Sequence, residues 1–206
     1  MNRKWLVPAA GILAVVLIVI AAIVGGETPD GDDSLRDIVS FYRDNDDDQV
    51  IAAALLGWGT AFFLLFASGL WRIVRDAETE RHGSSSLLLG GSVLWAAGAT
   101  LFAGLTFTLG DFANDLTPGA IQALNAMNSD MFMTVAVGTF AFSIGAGISI
   151  LNTRVLPRWL GWVVAAIGVL AVTPIGFFAF LAMGLWVLIA AVMLLVREPS
   201  PARAAP

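Results

Sequence analysis

Long apolar runs alternate with short polar segments along this chain, and the last run shows the pattern best. Between Arg158 and Arg197 lie 38 residues without a charge. An α-helix rises about 1.5 Å per residue, so one helix of that length would be almost twice the roughly 30 Å of a hydrocarbon core. Thr173-Pro174-Ile175-Gly176 stands near its middle. Proline disfavours helix in the residue before it, and Pro with Gly two positions on suits a tight turn. The block therefore predicts a helical hairpin, 159–172 and 177–196. Four further runs have the length and character of spans: 5–24, 50–71, 87–109 and 131–151. The expected fold is all-α: a polytopic membrane helix bundle of six transmembrane helices in a single domain, 1–206. A secretory signal cut after Gly26 is the rival reading of the first run. A signal's apolar core is usually about 7–15 residues, and this run is longer, so a retained anchor is expected.

The polar segments carry patterns of their own. Within 25–49, Ser34 can cap a short helix with Asp37 in its first turn, where the helix dipole favours a carboxylate. Leu35, Ile38, Val39 and Tyr42 then share one face, which predicts an amphipathic helix lying along the membrane surface. In 110–130, Thr117-Pro118 reads as an N-cap followed by proline at the first helical position. Ile121, Leu124, Met127 and Met131 follow as an apolar stripe, with Gln122, Asn125 and Asn128 on other faces. Small residues mark expected close contacts between spans: Ala53, Gly57 and Ala61; Gly90, Gly91, Gly98 and Gly104; Gly138, Ala141, Gly145 and Gly147. The segment 72–86 reads as a loop of mixed charge and the tail 198–206 as disordered.

Charge gives the bundle an orientation. Six spans place both chain ends on one side. The head, the loops around 72–86 and 152–158, and the tail hold nine of the eleven basic residues; Arg36 and Arg43 stand on the other side. That other side holds twelve of the sixteen acidic residues, nine in the first segment and three in the second. Positive charge marks the cytoplasmic side, so N- and C-termini are expected in the cytoplasm and the two short amphipathic helices outside it. Trp5, Trp71, Trp159 and Trp162 fall near the cytoplasmic interface, as an aromatic belt would. Composition agrees: 58% hydrophobic and 13% charged residues, against about 25% charged in a soluble domain.

Candidate chemistry is sparse. There is no cysteine, hence no disulfide, thiolate ligand or cysteine nucleophile. The run Asp44-Asn45-Asp46-Asp47-Asp48 fails the calcium-loop pattern, because Gln49 stands where Gly is needed and Leu55 where the bidentate Glu is needed; a solvated acidic loop is expected. The lone histidine, His82, has no partner in the pattern. No expected span has a charge in its interior, which argues against a proton-coupled pump.

The string Asn152-Thr153-Arg154-Val155-Leu156-Pro157-Arg158-Trp159-Leu160-Gly161-Trp162 is similar to the entry of the fifth helix in a broad family of small bacterial multi-spanning membrane proteins. Arg36-Asp37-Ile38-Val39-Ser40-Phe41-Tyr42-Arg43-Asp44-Asn45 resembles their segment after the first span. The resemblance implies a multi-pass protein of the bacterial inner membrane and implies no activity, so no catalytic residue carries over. The expected function is a non-enzymatic membrane module that binds a partner protein or lipid. A small facilitative transporter or channel is the alternative. No cofactor, metal or nucleic-acid partner is expected.

One site is proposed from pattern alone. The fifth span, with 14 residues, reaches about 21 Å, short of the roughly 30 Å core. Its turn would then floor a depression open to the outside, and irregular backbone at that depth needs protein or water around it. Asp111, Asn114 and Asp130 are the residues expected to ring this extracytoplasmic polar vestibule.

Overall fold

The computed structural model describes residues 5–78 and 84–196. Among them the chain is all-helical: α1 (Leu6–Gly25), α2 (Leu35–Asp44), α3 (Asp46–Ala77), α4 (Ser84–Asp111), α5 (Pro118–Asp130), α6 (Phe132–Thr153), α7 (Arg158–Ala171) and α8 (Gly176–Val196). Five helices are long and apolar enough to cross a membrane: α1, α3, α4, the α5–α6 run Pro118–Thr153, and α8. The expected Thr173–Gly176 turn is present, closed by the Gly176 N–H on the Thr173 carbonyl at 2.9 Å. The Thr173 hydroxyl donates to Leu170 O at 2.7 Å, so the turn is pinned by its own hydrogen bonds. The expected tail 198–206, and His82, lie outside the described residues.

Three expectations are corrected. First, the helices extend further than the apolar runs. Arg72 to Ala77 continue α3, and Ser84 to Ser86 already belong to α4, so much of the expected loop 72–86 is helical. Second, Asp46, Asp47 and Asp48 are no loop but the first turn of α3, where the helix dipole stabilises carboxylates. Third, α2 turns its apolar face onto protein. Ile38 and Tyr42 pack with Leu109 of α4, with Ala113 just past its end and with Ile121 of α5, all fully buried.

Helices that share a face do so in chain order. α1 packs on α3, α3 on α4, α4 on α6, α6 on α7, α7 on α8, and α8 returns to α1. The six form a closed ring, with α2 and α5 joined as a cap at one end. The tightest seam is antiparallel, between α4 and α6. Gly91 lies against the Phe142 backbone and Gly98 against Thr134, while from the opposite side Gly138 meets Trp95 and Gly145 meets Leu88. A methyl group at Gly91, Gly138 or Gly145 would overlap backbone atoms of the facing helix. Such contact is what small residues provide where dispersion and packing drive helix association. Gly57, Gly90 and Gly104, expected in the same role, have open space where a side chain would go.

Aromatic rings fill the centre of the ring. Phe63 of α3 lies 4.3 Å from Trp95 of α4 and 5.3 Å from Phe142 of α6, centroid to centroid. Phe142 in turn meets Trp186 of α8 edge-on at 6.2 Å. Trp186 donates its indole N–H to Leu160 O of α7 at 3.0 Å, so this buried donor is satisfied and α8 is tied to α7. At the far end from the cap, Glu78 links α3 to α4. Its carboxylate accepts from the Ser84 hydroxyl at 2.8 Å, the Ser85 hydroxyl at 2.8 Å and the Ser85 N–H at 3.2 Å.

Candidate functional site

In the cap, polar side chains from several elements meet in an organised way. Both of its helices start as their sequences predict. The Ser34 hydroxyl accepts from the Asp37 N–H and the Thr117 hydroxyl from the Ala120 N–H. Between them, Tyr42 donates its phenol proton to Asn125 Oδ1 at 2.7 Å. The Asn125 amide donates to the carbonyls of Pro29 at 3.2 Å and Asp30 at 3.3 Å. One asparagine therefore ties α2, α5 and the segment leaving α1 together. Burial pushes the Tyr42 phenol up from 10.0 to about 12, because a phenolate there would lose its water. Arg43 adds a second link, from its Nε to Ala113 O at 3.2 Å.

A second layer lies where the cap meets the bundle. Gln49 is buried and donates from its amide to Gly25 O at 2.7 Å, stitching α3 to the end of α1. Its Oε1 has no partner among the described residues. Asn128 is also buried, with its Oδ1 3.5 Å from the Thr106 hydroxyl of α4. Apart from Arg43 these side chains are neutral amides and hydroxyls, and their bonds run to backbone or to one another.

The three residues expected to ring a vestibule are all exposed. Asp111 ends α4 and Asp130 ends α5. Asn114 lies in the turn between them in sequence and donates to Asp46 Oδ2 at 3.1 Å. The structure thus brings Asn114 to the start of α3, and forms no hydrogen bond from any of the three to another. Around the Thr173–Gly176 turn the exposed side chains are apolar: Val172, Ile175, Phe177 and Phe178.

Pattern reading took Tyr42 as part of an apolar face, and placed Asn125 and Asn128 on faces of their helix away from the apolar stripe without giving them a role. In α5 the expected stripe is only partly internal: Ile121 is buried while Met127 is half exposed, and the two asparagines face inward instead. The one available signal was the pair itself. An asparagine at i and another at i+3 on a helix beside an apolar stripe can both turn inward if each finds a partner. Among the described residues, no three of His, Cys, Asp and Glu gather closely enough to hold a metal ion. Compared with protein families, with curated proteins and with solved structures, the chain shows no match.

Proposed function

We propose that the chain is a six-span protein of a bacterial inner membrane, both ends cytoplasmic, acting as a non-enzymatic module that binds a partner protein or lipid. The observation that carries this reading is the packed centre of the ring. Phe63, Trp95, Phe142 and Trp186 come from four helices and meet in the middle, each nearly or fully buried. A bundle closed in this way offers its outer faces and its ends rather than a path through its middle. The charge distribution supports the orientation, with Arg72, Arg75, Arg154 and Arg158 at one end and the cap carboxylates at the other. α7 counts as the fifth span through its place in the ring. Its short reach, about 21 Å, is accommodated by local thinning or by the exposed apolar turn residues at its end.

The cap supports a binding rather than a catalytic role. Tyr42, Asn125 and Arg43 spend their hydrogen bonds on one another or on backbone, and the exposed carboxylates around them give the cap an acidic surface. Purified protein in proteoliposomes tests the reading. Neither small cations nor neutral solutes should cross faster than in protein-free vesicles, and mild crosslinking in cells should capture a reproducible membrane partner. Solute flux abolished by Asp111→Ala/Asp130→Ala would instead point to a transporter with its vestibule at the cap.

A further inference from the structure

A groove of about 440 Å³ opens at the end of the bundle opposite the cap, between the α6–α7 connection and the last turn of α8. Its lining has two kinds of surface. Arg154 and Arg158 supply two guanidiniums, and Leu156, Pro157, Met193 and Val196 supply an apolar wall. Val155 and Leu156 are buried, while Val196 is 75% exposed. Neither guanidinium forms an ion pair or a hydrogen bond with any described residue. Among the described residues, the groove holds two unpaired arginines beside a hydrocarbon surface.

The backbone adds two observations. Arg154 ends α6 in the left-handed region, at φ 55, with its N–H on Ile150 O at 2.8 Å. Glycine or asparagine usually fills such a position, because a β-carbon there is strained. An arginine at that place fixes the start of its side chain at the mouth of the groove. Arg158 opens α7, and Pro157 before it offers no side-chain cap, so the positive end of the α7 dipole faces the same space. On the first turns of α7, Trp159 and Trp162 are 49% and 65% exposed. Tryptophans so placed mark the headgroup level of a bilayer.

We propose that this groove binds an anionic phospholipid, with the phosphodiester between Arg154 and Arg158 and an acyl chain along Leu156, Met193 and Val196. Guanidiniums pair with phosphate oxygens through paired N–H donors. A net-negative headgroup is preferred because a zwitterionic lipid brings its own ammonium toward two arginines. The proposal rests on membrane insertion but not on orientation, transport or partner binding.

Native mass spectrometry of the detergent-purified protein tests it. The delipidated protein is offered equal amounts of phosphatidylglycerol and phosphatidylcholine. Phosphatidylglycerol should be retained in preference, and inorganic phosphate should not displace it. In Arg154→Gly/Arg158→Gln the retention should fall about tenfold. Glycine suits the left-handed position, so this variant should keep the thermal stability of the parent. Arg36→Gln, exposed at the cap, should retain lipid as the parent does. Equal retention of the two lipids by the parent protein overturns the proposal, and needs no variant to be read. So does undiminished retention in the double variant. Displacement by inorganic phosphate would assign the site to a free anion and overturn the lipid. The site deepens the lipid half of the reading above; none of these outcomes bears on solute flux or on capture of a partner protein, so the lipid site fails separately from those two tests.

Discussion

Tyr42 is the only tyrosine in the chain, which makes it its own probe. Its phenol should titrate near pH 12, against an ordinary 10.0, and tyrosinate absorbance of the folded protein reads this directly. The sign of the stability effect follows. Between those two values an unfolded chain has released the proton and the folded one has kept it. The contribution is complete below the lower value and is lost as pH rises through the upper one, at about 1.4 kcal/mol per pH unit. Tyr42→Phe should remove the titration and cost the cap about 1–2 kcal/mol, because Asn125 Oδ1 loses its donor in a buried place. A phenol that titrates normally in the folded protein would mean that water reaches it. The helix caps of α2 and α5 were legible because Ser34 and Thr117 act within three residues of themselves. The Tyr42–Asn125 bond was not, because it spans 83 positions and depends on how α2 and α5 meet.

The same division appears between elements. Apolar runs and the Thr173–Gly176 turn located the long helices, since length and the absence of charge are local properties. The glycines show what is not local. Gly90 and Gly91 are neighbours in sequence, yet one faces open space and the other a backbone. Only the partner helix decides which of two glycines is the contact, and spacing within one helix cannot report it. Substitution separates them. Gly91→Ala or Gly145→Ala should destabilise the detergent-solubilised protein by about 1–3 kcal/mol, since the facing backbone cannot move aside cheaply. Gly90→Ala and Gly104→Ala should be neutral or stabilise by up to about 1 kcal/mol through helix propensity. Thermal unfolding followed by size-exclusion chromatography ranks the four variants. An equal loss in all of them would show that the α4–α6 seam is not backbone-close. The vestibule expectation shared this limit: Asp111, Asn114 and Asp130 were recognisable as polar ends of runs, whereas the bond from Asn114 to Asp46 depends on where α3 begins.

For the whole molecule, orientation is the property that labelling can decide. With no native cysteine, single replacements report cleanly. If the proposed topology holds, Asp47→Cys, exposed at the cap, should react with an impermeant maleimide once any outer barrier is permeabilised, and Ser86→Cys, exposed at the start of α4, only after the membrane that holds the protein is opened. The reverse pattern would invert the protein in its membrane. The ring of helices also has a bearing on biosynthesis. Because neighbours in space are neighbours in the chain, each emerging helix finds its predecessor already inserted, and little sequence has to be searched before a contact forms. The exception is the return of α8 to α1. Until the final hairpin arrives, the side of α1 away from α3 has no protein neighbour, and the centre lacks Trp186. Closure is thus a last, long-range event, and a ribosome stalled before the hairpin should leave an open arc of helices that a chaperone or protease can still recognise.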